Sequence, residues 1–336
     1  MKFLGDGLRA GVLRVLGVAA AVAVLASCGG GQQAERFVPT RVIAFGDENS
    51  VINGDGSKYT VNAFVDDTVT PLVPDCTKNP IWVQYLAIAY GLSFPGCPGT
   101  STTQLSQIAA QPGAKVADVV TQITNFRSGD GFSGNDLVTI LAGQNDILEQ
   151  YQLVKSGSQT EAQASAVLAA AGSALAGQVN VVALAGGKVL ISTVPDLGYT
   201  PFAVNEGVAN AGLLTRLTAS LNTPLRLGII NDGHMIGLLL TDEMVQGIVK
   251  AVQAGSTLSY VDVTHVACDS SLDPDPLIAL KKCTTLTLVD YTGVAGTVGT
   301  KANAATWLWA DATHLSAGGQ LSLGAQAYGR ASGNPF

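Results

Sequence analysis

The 336-residue chain is 47% apolar and only 13% charged, enough hydrophobic material for a sizeable core and too little charge for a disordered polymer. Its net charge of −7, with no basic cluster beyond the first residues, argues against nucleic acid as a partner, because phosphate neutralisation needs clustered Lys and Arg.

Residues 1–27 read as an address rather than as fold. Lys2, Arg9 and Arg14 give a positive n-region, and the apolar run VLGVAAAVAVLA is too short to span a membrane as a mature helix. The run ends in Leu25-Ala26-Ser27-Cys28, which resembles the lipobox of bacterial lipoproteins; the plainer alternative is an ordinary signal peptide with a chance cysteine. The lipobox reading implies an exported chain that starts at Cys28 and is lipid-anchored there. Residues 28–40, opening with GGGQQ after the cysteine, then form a flexible tether. Gly29 rather than Asp after the cysteine points to the outer membrane if the source is a diderm bacterium. Four other cysteines remain, and sequence proximity pairs Cys76 with Cys97 and Cys268 with Cys283 as loop staples of an exported protein. No C-x-x-C or C-x-x-H spacing points to a metal instead.

Beyond the tether, strand and helix patterns alternate. Arg41 to Phe45 reads as a buried strand stopped by Gly46-Asp47, and Asn53 to Ser57 (NGDGS) as a turn. Pro80 to Tyr90 reads as a helix with Asn79 as N-cap and Pro80 at its first position. Residues 93–113 read as a loop held by Cys97. Val116 to Phe126 follows as a helix, Asp136 to Ala142 as a strand and Glu161 to Leu184 as an Ala-rich helix made for close packing. Lys188 to Val194 is a third strand, residues 207–231 and 241–253 are helical, Leu258 to Val263 is a fourth strand, and Ala317 to Ala331 is a last helix. Trp307 and Trp309 alternate along a strand, which predicts one in the core and one facing outward. This order predicts one α/β domain over residues 41–336, with a parallel sheet covered on both faces.

Ligands of such folds bind where strands end at their carboxyl side. GDENS follows the first strand, Gly143-Gln144-Asn145-Asp146 the second and Pro195 to Pro201 (PDLGYTP) the third, while Asp311-Ala312-Thr313-His314 follows TWLW. Asp311 stands three residues before His314, a spacing that lets a carboxylate fix the imidazole tautomer of a general base. Asn145 can present its amide to an oxyanion, and Gln111-Pro112-Gly113-Ala114 can offer a backbone N–H to the same oxygen. Taken singly, each is more often a turn or structural element. His234 and His265 read as structural, as do the turn carboxylates Asp47 and Asp146, and Gly186-Gly187-Lys188 lacks the rest of a phosphate loop.

Taken in order, four blocks resemble the SGNH hydrolases, the GDSL family of esterases and lipases: FGDENS, QPGAKV, AGQND and DATHLS, joined by VPDLGYTP. The resemblance runs from about Val42 to the C-terminus. It implies a three-layer α/β/α sandwich with a parallel, flavodoxin-like sheet, acyl transfer from esters, and no metal or cofactor. It also implies Gly113 and Asn145 as oxyanion donors and Asp311 and His314 as the dyad. The expected partner is a small-molecule or polymer ester, or a glycan.

The family's nucleophile serine falls on Glu48. Three readings stay open. Ser50 takes over, although two residues along a helix turn a side chain by about 200°, so that capping the next helix suits Ser50 better. Glu48 activates water, although a helix N-terminus and His314 both hold it anionic and weaken it as a base. Or the pocket binds a sugar or lipid without turnover, with Glu48 paired to His314.

Overall fold

The computed structural model describes residues 37–100, 105–256 and 259–333. Cys28, the leader and most of the tether lie outside the described residues. Five strands, β1 (Arg41–Gly46), β2 (Gln107–Ile108), β3 (Asp136–Leu141), β4 (Lys188–Ser192) and β5 (Ile236–Leu239), form one parallel sheet in the order β2-β1-β3-β4-β5. This is the flavodoxin-like order that the family resemblance implies.

Nine helices belong to the described residues: α1 (Trp82–Ala89), α2 (Val116–Ser128), α3 (Gln144–Lys155), α4 (Glu161–Leu184), α5 (Pro201–Glu206), α6 (Val208–Gly228), α7 (Thr241–Gln253), α8 (Pro276–Lys282) and α9 (Ala317–Ala331). The two-residue period of a strand sends alternate side chains to opposite faces. Ile43, Phe45, Val138, Ile140, Val189 and Ile191 pack against α2, α3, α4 and α6. Val42, Ala44, Leu137, Leu141 and Leu190 pack against α1, α7 and α9. The result is the expected three-layer sandwich. The small residues of α4 do bring helices close, since a side chain at Gly172 would collide with the Leu221 carbonyl of α6.

Several local expectations change. The first helix starts at Trp82 behind Ile81, not at Pro80, and Asn79 has left-handed backbone (φ 49°). The cause is Lys58, whose buried ammonium donates to the carbonyls of Cys76, Lys78 and Asn79 at 2.8, 2.7 and 2.9 Å and turns that segment around itself. The fourth sequence-marked strand sits later, as β6 (Asp262–Val266), and pairs in parallel with β7 (Trp307–Trp309) apart from the main sheet. Trp307 and Trp309 are both buried, so neither faces outward. Trp307 joins a satellite cluster with Val61, Cys268 and Cys283, while Trp309 packs with α1 and α9, so both faces of the strand are covered. Helix α3 opens at Gln144, where a turn is expected around Asn145 and Asp146, and runs on to Lys155. The disulfides pair as expected, Cys76 with Cys97 and Cys268 with Cys283.

Gly46 ends β1 with φ 141°, and a Cβ there would overlap the Leu141 carbonyl of β3. Gln122 of α2 clamps the same residue, accepting from its N–H and donating to its carbonyl, both at 3.0 Å. This close approach sets the direction in which the chain leaves the sheet. Gly46→Ala should therefore cost about 3 kcal/mol. A thermal melt unchanged from wild type would show that the strand end has room to relax.

Candidate active site

Asp47 and Glu48 follow β1 directly, and Glu48 opens a single 3-10 turn, Glu48–Ser50. Asp47 caps that turn, its Oδ1 accepting from the Asn49 backbone N–H at 3.1 Å and from Asn49 Nδ2 at 3.0 Å. The Glu48 side chain is 1% exposed. Its carboxylate is where the other blocks meet. Oε2 accepts the Gly113 N–H at 2.8 Å, and Asn145 Nδ2 donates to Oε1 and Oε2 at 3.3 and 3.2 Å. His314 Nε2 lies 3.0 Å from Oε1.

Each partner is fixed from behind. Asn145 lies in the first turn of α3 and also donates to the Ala114 carbonyl at 3.1 Å, which ties it to the Gly113 loop. Asp146 holds the same loop, accepting the Val116 N–H at 3.0 Å. His314 Nδ1 faces both Asp311 oxygens at 2.9 Å, while Asp311 Oδ1 accepts the backbone N–H groups of Thr313 and His314 at 2.9 and 2.7 Å. The PDLGYTP segment braces this turn from outside, where the Phe202 N–H at the start of α5 donates to the Ala312 carbonyl at 2.9 Å.

Sequence reasoning placed Glu48, Gly113, Asn145, Asp311 and His314 in one cluster, and the fold brings all five together. Ser50 is not part of it: fully buried, its Oγ accepts the Trp82 indole N–H at 3.2 Å. The sequence reading passed over Gln144, whose Nε2 stands 3.0 Å from His314 Nε2. Its Oε1 is buried without a partner. An imidazolium has no lone pair for an amide N–H, so beside a charged His314 the acceptor left to this amide nitrogen is Thr313 Oγ1 at 3.4 Å. Its place beside Asn145 in a helical first turn was the available signal. His234 lies before β5, at the amino end of the sheet, with its carbonyl accepting Lys188 Nζ at 2.6 Å. His265 repeats the turn of His314: Asp262-Val263-Thr264-His265 puts Nδ1 2.7 Å from Asp262, with the ring packed 5.3 Å from that of Tyr291.

Burial alone would favour neutral side chains here, and the pairing overrides it. Burial pushes Glu48 up, but the hydrogen bond and charge of His314 and the backbone N–H groups of Glu48 and Gly113 hold it below its ordinary value. Burial lowers His314, but Asp311 and then Glu48 lift it well above an ordinary histidine, which favours the imidazolium. Asp311 is held low by that imidazolium despite burial. Asp47 goes the other way, pushed up to about 8 by burial and by the charge on Glu48. The cluster is thus carboxylate, imidazolium, carboxylate, with a neutral carboxyl beside it.

A flavodoxin-order sheet carrying a histidine–aspartate pair and two N–H donors at its carboxyl edge is the frame of an SGNH-type hydrolase. Residues 42–323 match the family described as GDSL-like Lipase/Acylhydrolase, and the chain belongs to that family. It is similar to the phosphatidylcholine-sterol acyltransferase of Aeromonas hydrophila, 26% identical over 182 residues, 51% of this chain and 49% of that protein. The match therefore spans about half the length of that relative. A solved member of the lipolytic protein G-D-S-L family from Veillonella parvula DSM 2008 is 13% identical, with a TM-score of 0.36 over 72% of this chain and 93% of that one.

The raised Asp47 has a signed consequence. Unfolded, it ionises near 3.8; folded, near 8, so folding takes up a proton between those values and stability falls as pH rises through that window. Asp47→Asn should flatten this fall while keeping an oxygen for Asn49. Melting temperatures compared at the two ends of the window test this, and an unchanged slope would mean that Asp47 is ionised in the fold.

Proposed function

We propose that this chain is a lipid-anchored member of the GDSL-like family that binds a lipid or other small ester and does not hydrolyse it by the serine route. The observation that carries the reading is the position of the Glu48 carboxylate. Counted from the backbone, Cδ of a glutamate stands where the acyl carbon of an acylated serine would stand. With Oε2 on Gly113 and Asn145 and Oε1 on His314, the side chain copies an acyl-enzyme that never turns over. A substrate ester finds no hydroxyl to attack it, and its carbonyl oxygen would have to displace a bound anion from the same donors. A tetrahedral oxyanion beside that anion would also be repelled. The name of the Aeromonas hydrophila relative supports a lipid-type ester as the ligand class.

Glu48→Ser should free both donors and return a nucleophile to His314. We expect hydrolysis of p-nitrophenyl acetate to rise at least roughly 100-fold over wild type. A folded but inert variant, or wild type already as fast, would overturn the reading. The anchor is read from LASC, Leu25 to Cys28, followed by a Gly-rich tether. Cys28→Ala should move the protein from the membrane to the soluble fraction, and a variant that still sediments with membranes would dispose of lipidation at this cysteine.

A further inference from the structure

The machinery gathered around Glu48 is what hydrolyses an ester already attached to the protein. Its two carboxylate oxygens are not equivalent: Oε2 takes the short bond from the Gly113 N–H, 2.8 Å, and Oε1 faces His314 Nε2 at 3.0 Å. Asn145 reaches both, at 3.2 and 3.3 Å. An alkyl group on Oε1 would turn Oε2 into an ester carbonyl oxygen with both donors in place. Cδ would lie beside an imidazole that Asp311 orients through Nδ1 at 2.9 Å. An ester carbonyl in that setting is attacked by water with His314 as base.

Carboxylates form such esters when they attack tetrahedral carbon; attack on an acyl carbon gives only an anhydride. We propose that this chain hydrolyses small epoxides through a covalent ester of Glu48. In the first step Glu48 Oε1 bonds to a ring carbon, that carbon's bond to the epoxide oxygen breaks, and the oxygen takes the Nε2 proton of His314. This leaves a hydroxyalkyl glutamyl ester and a neutral imidazole. In the second step His314 removes a proton from water, and the resulting hydroxide adds to Cδ. Negative charge then builds on Oε2 against Gly113 and Asn145. Collapse breaks the bond from Cδ to the alkyl oxygen, which takes the proton back from His314 and leaves as a diol. Glu48, released as the acid, returns its proton to His314. The sum is epoxide plus water to diol, with no oxidant or cofactor.

The site selects among electrophiles. An acetal would need an acid facing Glu48 across the bond, as retaining glycosidases have, but Asp47 is the residue next to Glu48 in the chain and fully buried, and Asp311 is held on His314. An epoxide keeps its leaving oxygen tethered to the carbon under attack, within reach of the imidazolium that already touches Oε1. Glu48 and His314 are almost wholly buried, so the epoxide that tests the idea must be small. The idea goes beyond the reading above, because a site inert toward external esters can still alkylate itself.

The test uses the full chain, purified in detergent and incubated with propylene oxide in heavy-oxygen water. The peptide carrying Glu48 is then weighed and the solution assayed for propanediol. We expect heavy oxygen in Glu48 only when the epoxide is present, together with diol, and neither in Glu48→Gln. Absence of diol would overturn the proposal, as would diol made while Glu48 stays unlabelled, which would mean direct attack by water. Failure of Glu48→Ser to gain esterase activity would leave this labelling unaffected, so the two ideas fall separately.

Discussion

One carboxylate organises the carboxyl edge of the sheet. Glu48 collects hydrogen bonds from the loop before α2, the first turn of α3 and the turn after β7, and is itself delivered by β1. These pieces are far apart in sequence, and without an anion between them three donors would converge on empty space. An unpaired buried donor costs its full desolvation, on the order of 1–3 kcal/mol, and more if charged. In a serine enzyme that vacancy is what the transition state fills. Here the chain's own carboxylate occupies that place, and the donors are satisfied in the ground state.

The same carboxylate sets the charges around it. Two anions, Glu48 and Asp311, flank one imidazolium, which keeps the buried cluster at a single net negative charge. A third ionised carboxyl would have no partner, and Asp47, with one oxygen unbonded, stays protonated instead. Charge in this pocket is therefore a collective property. Changing any one of the four groups changes the protonation that the others can bear.

Much of this was legible in the chain. Strand-ending signals located the rim residues, and their order along the sequence carried the family, because a parallel sheet brings successive strand ends to one edge. What stayed illegible depended on contacts between distant segments. Asn79 looked like a helix cap because Asn before Pro usually is one, but Lys58, more than twenty residues earlier, claims its carbonyl. Trp307 and Trp309 looked like inside and outside because alternation assumes one wet face, and this strand has none. Ser50 looked like a cap for a following helix, but the 3-10 turn ends at Ser50, and its hydroxyl accepts the Trp82 indole N–H instead. The second Asp-x-Thr-His turn, at Asp262 to His265, marks the limit of motif reading: the turn orients an imidazole wherever it occurs, and chemistry requires what stands in front of it.

The Lys58 cage bears on what keeps its segment in order. Its ammonium is ringed by three main-chain carbonyls and, at 3.4 Å, by Gln84 Oε1. Oxygen shells of this kind are what exported proteins commonly offer to calcium, and their loops then loosen whenever the ion is withdrawn. Here the cation is carried by the polypeptide, and the loop it gathers is stapled by Cys76–Cys97 as well. The order of this segment therefore rests on the proton of one lysine, whose affinity burial lowers to about 7, rather than on a bound ion.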